Sequence, residues 1–81
     1  MSIFSERMRE TRKNKRLTQK NIADMLEIKQ PSYVQWERGK RVPSIINATK
    51  IANILDVSLD YLVGRTSIAE VNRKGRRDKE R

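Results

Sequence analysis

Residues 17–40, LTQKNIADMLEIKQPSYVQWERGK, contain two short amphipathic segments that decide the fold of this chain. The first begins after Thr18, a residue type that favours helix N-termini, and it repeats an apolar side chain at Ile22 and Leu26. The second contains Pro31, which is tolerated near a helix start because its missing N–H has no intrahelical acceptor there. The pattern therefore predicts two consecutive helices joined by a short turn.

The second segment has two different faces when its residues are placed 100° apart around a helix. The side that we expect to be buried consists of Ser32, Tyr33 and Trp36. The opposite side is polar but nearly uncharged, and it consists of Gln30, Pro31, Val34, Gln35 and Arg38. Periodicity alone leaves two interpretations of this outer face open, a recognition surface and an ordinary solvated surface.

The composition points to a polyanionic partner. The chain has 81 residues, which suffices for one small domain, and its 19 Lys and Arg against 10 Asp and Glu give a net charge of +9. Nucleic acid is the first candidate partner and an acidic membrane the second, while the plain alternative is that the charge only aids solubility. The chain has no cysteine, no run of about 20 apolar residues and no apolar signal sequence at its start. We therefore expect a soluble cytoplasmic protein that is not inserted in a membrane.

Three further helices are predicted around the first two, which makes the fold class all-α. One covers roughly residues 4–15, one follows a Ser44 cap, and a short one lies between a Ser58 cap and Gly64. The predicted buried positions of these last two helices are Ile45, Ala48, Ile51, Ala52, Leu55 and Leu62. Since the apolar pattern stops at Gly64, we expect a domain over residues 1–64. Residues 65–81 should form a basic tail that is frayed or partly helical, with Ser67 as a possible cap.

The sequence contains no arrangement of residues that indicates catalysis. There is no histidine and no cysteine, and we find neither a phosphate-binding glycine loop nor the spacing of metal ligands. We therefore expect no enzyme activity, no cofactor, no metal and no small-molecule ligand.

The residues LTQKNIADMLEIKQPSYVQWERGKRVPS, followed by IANILDVSLDYLVG, resemble the helix-turn-helix family of phage repressors and Cro proteins, which has the lambda-repressor-like fold of five helices. The resemblance covers about residues 4–64. It implies that Arg12 and Glu37 form a partly buried ion pair between the first and third helices. It also places left-handed residues at Arg16, Glu27 and Asp56, where the family often has glycine. The buried residues that it implies in the helix-turn-helix are Ile22, Ala23, Leu26, Ile28, Tyr33 and Trp36.

The resemblance also assigns roles on double-stranded DNA, and the chemistry of the side chains agrees with them. Gln30 and Gln35 have amides that suit a bidentate pair with adenine, and Val34 offers methyl groups to thymine. Pro31 either touches a thymine methyl or fixes the start of the helix. The side chains that we expect at backbone phosphates are Gln19, Lys29, Arg38, Lys40 and Arg41.

The sequence therefore predicts a transcriptional regulator that binds duplex DNA, acts as a repressor and pairs as a homodimer on a near-palindromic operator. Two alternatives stay open. One is an antitoxin-like or adaptor module whose helix-turn-helix serves protein interaction, and the other is nonspecific nucleic-acid packaging. The exposed apolar residues Met25, Ile46 and Val63 fit either scattered surface groups or a dimer contact.

Overall fold

The computed structural model describes residues 2–71, in which it contains five α-helices and no strand. The helices are α1 (Ile3–Asn14), α2 (Gln19–Leu26), α3 (Gln30–Glu37), α4 (Ile45–Leu55) and α5 (Leu59–Leu62). The predicted all-α fold is confirmed. Among these five, none has the length and apolar character needed to cross a membrane.

Hydroxyl side chains begin four of the helices. Ser2, Thr18, Ser44 and Ser58 each accept a hydrogen bond from the backbone N–H three residues later, at 2.9–3.1 Å. Such caps satisfy N–H groups that have no partner inside the helix, and each contributes about 1 kcal/mol. The exception is α3, whose N-cap Lys29 makes no side-chain cap hydrogen bond. The start of α3 therefore depends on its neighbours and on the proline in its first turn.

Left-handed backbone conformations follow three of the helices at residues other than glycine. The φ angles are 61° at Arg16, 60° at Glu27 and 58° at Asp56. The prediction at these three positions is confirmed. Each costs on the order of 1 kcal/mol relative to glycine, because Cβ crowds the backbone in this region. The turns nevertheless close, since Glu27 and Asp56 direct their N–H groups back to carbonyls of the preceding helix.

The core lies where α2 packs against α3 and α4, and where α1 packs against α3 and α5. Its most completely buried side chains are Met8, Ile22, Tyr33, Ile51, Leu55 and Leu62. Ala23, Leu26, Trp36, Ala48 and Ala52 are also buried, as predicted. Ile28 is half-buried and packs against the edge of the core, while Met8 and Val57 join the core although neither was among the predicted buried set.

The predicted burial of Ile45 is wrong, because 69% of this residue is exposed. Ile45 is the first residue of α4, and helical side chains lean towards the helix N-terminus. Its side chain therefore extends past the part of α4 that packs on α2, where the buried stripe begins at Ala48. Ser32, which the periodicity placed on the buried side of α3, is exposed as well.

Residues 65–71 contain no helix and return along the domain. Arg7 Nη1 donates to the carbonyl oxygens of Tyr61 at 2.5 Å and Thr66 at 2.7 Å, and its guanidinium lies 4.2 Å from the centre of the Tyr61 ring. The Ser58 N–H donates to the Ala69 carbonyl at 2.8 Å. This part of the predicted tail is thus held on α1 and α5, with no helical turn at Ser67. The rest of the predicted tail, residues 72–81, lies outside the described residues.

Candidate nucleic-acid interface

A buried ion pair fixes the C-terminal end of α3 to α1. Arg12 Nε lies 2.5 Å from Glu37 Oε2, and Arg12 Nη2 donates to Glu37 Oε1 at 3.1 Å. The third nitrogen of the guanidinium, Nη1, donates to the Leu17 carbonyl at 2.9 Å. The side chains of the pair are 9% and 2% exposed. The two parallel hydrogen bonds set the orientation of α3 as well as its position.

The protonation of this cluster follows from burial and from its hydrogen bonds. Burial alone would raise the pKa of the Glu37 carboxyl, but its hydrogen-bonding and charged neighbours, with Arg12 first, outweigh burial and hold this pKa below its usual value. The bond to Glu37 raises the pKa of Arg12. The pair therefore stays ionised at neutral pH and has a structural role.

The buried face of α3 consists of Tyr33, Trp36 and Glu37. The two aromatic rings meet edge to face, with their centroids 6.2 Å apart and their planes at 73°. The Tyr33 hydroxyl is buried without a hydrogen-bond partner, and burial raises the pKa of this phenol well above its usual value. These three side chains leave the opposite side of the helix free to face outward.

The outward side of α3 carries the four residues predicted to contact bases. Gln30 and Pro31 are exposed, and Val34 and Gln35 are half-buried. Arg38, the C-cap of the helix, is exposed beyond them. The structure thus brings two amides and an aliphatic side chain onto one surface that contains no charge before Arg38. A convex helix with such a surface fits a major groove about 12 Å wide.

The turn after α3 folds back onto the same surface. The Gln35 carbonyl accepts the N–H of Lys40 at 3.0 Å and of Arg41 at 3.4 Å. Pro43, which is buried, anchors the far end of the turn. Arg41 therefore lies beside α3, across a shallow depression. The lining of this depression is Pro31, Ser32, Gln35, Trp36 and Arg41.

The other residues predicted at phosphates surround α3. Lys29, Lys40 and Arg41 are exposed, so their charges are accessible to an anion. Gln19 is half-buried at the start of α2, and its Nε2 donates to Glu37 Oε1 at 3.1 Å. An amide nitrogen carries two hydrogens, so one of them is left for a phosphate. The link from Arg12 through Glu37 to Gln19 joins α1, α2 and α3.

Sequence reasoning did not select Ser32 as a candidate contact, although its hydroxyl is exposed beside Pro31 in the depression. The sequence signal that could have identified Ser32 as exposed is its angular position around α3. Ser32 lies at the border of the buried arc defined by Tyr33 and Trp36, near the free start of a helix that has only eight residues. At such a border periodicity does not separate buried from exposed residues.

Comparisons with known proteins agree with this architecture. The chain is 51% identical over 61 residues to YqaE of Bacillus subtilis, described as an uncharacterized helix-turn-helix transcriptional regulator; the match covers 75% of this chain and 53% of that protein. It is 38% identical over 67 residues to the phage CTXphi transcriptional repressor RstR of Vibrio cholerae, covering 83% and 60%. It is 30% identical over 60 residues to the transcriptional activator BcrR of Enterococcus faecalis, covering 74% and 29%.

The chain spans little more than half the length of the first two of these relatives. No solved structure gave a significant match. The profile of the helix-turn-helix family matches residues 8–62, a range that runs from the middle of α1 to the end of α5. The buried ion pair, the helix-turn-helix of α2 and α3 and the two supporting helices all fall within that range, and the chain belongs to the Cro/C1-type helix-turn-helix family.

Proposed function

We propose that this protein is a sequence-specific regulator of transcription that binds duplex DNA through α3 and acts as a repressor on a near-palindromic operator. The observation that carries the proposal is the outward face of α3, where Gln30 and Gln35 present amides on a helix fixed from behind by Glu37. Membership of a family of DNA-binding regulators supports it, as does a relative described as a phage repressor. Occupation of an operator would block polymerase, so no enzyme activity or cofactor is required.

The proposed contacts divide into two groups with different consequences. Gln30, Pro31, Val34 and Gln35 would contact base edges and determine which sequence is bound. The second group would contact phosphates and supply affinity for any duplex, and it consists of Gln19, Lys29, Arg38, Lys40 and Arg41. The net charge of +9 adds a steering field for a polyanion.

Selection of duplexes from a random pool at a fixed salt concentration tests the first group. The double variant Gln30→Ala/Gln35→Ala should lose about 2–6 kcal/mol of discrimination, since each bidentate pair between an amide and adenine contributes about 1–3 kcal/mol. Its stability should be unchanged. Asn53→Ala, which removes an exposed amide from α4, is the matched control and should select the same sequence as the wild type. If the double variant also selects that sequence, an antitoxin-like or adaptor role is favoured instead.

Salt dependence tests the second group. Arg38→Ala should weaken binding to all duplexes about equally and lower the slope of log K against log salt by about one. Equal affinity for unrelated duplexes in the wild type would favour nonspecific packaging. A reporter gene placed behind the selected duplex separates repression from activation, because reporter output falls in the first case and rises in the second.

A further inference from the structure

The amide of Gln19 is held by a carboxylate on another helix. Gln19 is the first residue of α2, and its Nε2 donates to Oε1 of Glu37, the last residue of α3, at 3.1 Å. The two residues are 18 positions apart in the chain. Gln19 is half-buried, whereas the side chain of Glu37 is 2% exposed. A surface glutamine ordinarily samples several rotamers, so this bond restricts a side chain that would otherwise be free to turn.

Glu37 accepts this bond as part of a fixed cluster. Its carboxylate also accepts from Arg12 Nε at 2.5 Å and from Arg12 Nη2 at 3.1 Å, while Arg12 Nη1 donates to the Leu17 carbonyl. The carboxylate therefore cannot turn to follow a mobile Gln19. Since an ionised carboxylate only accepts hydrogen bonds, it fixes the Gln19 amide with its nitrogen, rather than its oxygen, towards Glu37.

The cluster leaves Gln19 able to bind an anion. One Nε2 hydrogen is bonded to Glu37, and the second remains available. The guanidinium of Arg12 offsets the charge of the carboxylate, so a phosphate that approaches Gln19 does not meet an uncompensated negative charge. A donor that is already fixed in the free protein also loses less rotamer freedom when it binds.

We propose that Glu37 is a positioning residue for DNA binding, which holds the Gln19 amide where it donates to a backbone phosphate. This inference rests on the proposed function, in which Gln19 is one of the phosphate contacts. It gives Glu37 a second role besides the orientation of α3. Gln19 should therefore contribute to affinity only when residue 37 can accept its hydrogen bond.

Two variants without the ion pair separate the two roles of Glu37. Arg12→Met/Glu37→Gln removes both charges but keeps an oxygen at residue 37 that can accept from Gln19. Arg12→Met/Glu37→Met removes both charges and the acceptor. Neither variant contains an unpaired buried charge, so we expect both to fold, and thermal unfolding checks this. A displacement of α3 caused by loss of the ion pair is common to both variants.

The probes are duplexes of the selected sequence, each with one phosphate replaced by an uncharged methylphosphonate. The phosphate at Gln19 is the one whose replacement weakens binding of the wild type but not of Gln19→Ala, and Arg38→Ala identifies a control phosphate in the same way. Replacement at Gln19 should weaken binding on the order of tenfold in the wild type and in Arg12→Met/Glu37→Gln. In Arg12→Met/Glu37→Met the same replacement should change affinity by less than about twofold. Replacement of the control phosphate should weaken all three proteins equally.

Three results of this experiment would overturn the proposal. The first is that Gln19→Ala reveals no phosphate, so that there is no contact to position. The second is a full effect at the Gln19 phosphate in Arg12→Met/Glu37→Met, and the third is a lost effect in Arg12→Met/Glu37→Gln. Failure of the proposed function looks different from all three, because the wild type itself would then not distinguish selected from scrambled duplexes.

Proton NMR of the wild type tests the same bond without a substitution at residue 37. We expect one of the two Nε2 protons of Gln19 to exchange with water more slowly than the side-chain amide protons of Asn53, which is exposed. The difference should persist when the selected duplex is bound. Equal exchange rates in the free protein would mean that Glu37 does not hold the amide, and the proposal would be rejected.

Discussion

Replacement of Glu37 by glutamine tests whether the buried ion pair holds α3 in place. Glu37→Gln keeps the shape of the side chain but removes its charge, which leaves the Arg12 guanidinium buried beside a neutral amide. Breaking a buried pair costs about 3–5 kcal/mol. We expect the lower end, about 3 kcal/mol, because the amide oxygen still accepts one hydrogen bond. For a domain of this size such a loss lowers Tm by about 12–24 °C.

Circular dichroism and the fluorescence of Trp36 follow the unfolding by heat and by urea. The matched control is Asp24→Asn, which breaks the exposed pair of Lys20 and Asp24, whose charged atoms are 2.8 Å apart. Exposed pairs contribute little, so this control should lose less than about 1 kcal/mol. The double variant Arg12→Met/Glu37→Met should be more stable than Glu37→Gln, because it leaves no unpaired charge. A loss in Glu37→Gln no larger than that in Asp24→Asn would refute the reasoning.

The same pair predicts a pH dependence of stability. The folded-state pKa of Glu37 is depressed below its usual value of 4.5. Its contribution is therefore fully present above pH 4.5 and is lost as the pH falls through the lower, folded-state pKa. Below pH 4.5 the wild type should lose stability more steeply than Glu37→Gln, which has no carboxyl at this position to protonate. Urea unfolding at a series of pH values measures both slopes, and parallel slopes would contradict the assignment.

Three other changes test separate parts of the fold. Glu27→Gly should raise the free energy of unfolding by about 0.5–1 kcal/mol, because glycine adopts the positive φ of 60° without strain. Lys50→Gly, within α4, should lower it by about 1 kcal/mol. Thermal unfolding compares the two variants, and a loss of stability in both would contradict the strain argument. Tyr33→Phe removes a buried hydroxyl that has no hydrogen-bond partner, so urea unfolding should show no loss; a loss above about 1 kcal/mol would show that the hydroxyl is bonded. Arg7→Met should release residues 65–71 and speed amide exchange at Ser58, with little change at buried helix amides.

The elements that the sequence predicted well are those set by neighbouring residues. Thr18, Ser44 and Ser58 cap helices through N–H groups only three residues away, so local pattern suffices to find them. The left-handed residues and the ion pair of Arg12 with Glu37 were implied by the family resemblance, and the structure has both. The base and phosphate contacts stay predictions.

The errors occurred where distant parts of the chain decide the outcome. Helical periodicity gives the angle of Ile45 around α4. It does not show how far along α4 the contact with α2 extends, and Ile45 lies beyond that contact. The hydrogen bond from Arg7 to the Thr66 carbonyl spans 59 residues, so the composition of the predicted tail gives no sign of this contact. The exposure of Ser32 likewise depends on which neighbours reach the start of α3.

The anchoring of α3 by only Tyr33, Trp36 and Glu37 has a consequence for how such proteins diverge. Gln30 and Ser32 are exposed, and Val34 and Gln35 are only half-buried, so substitutions at these positions disturb the interior far less than substitutions at the three anchors. Under the proposed function, a few substitutions on this face would give a descendant a different target sequence while it keeps the same scaffold. Related regulators in one cell could in this way come to bind different DNA sequences and no longer compete for the same site.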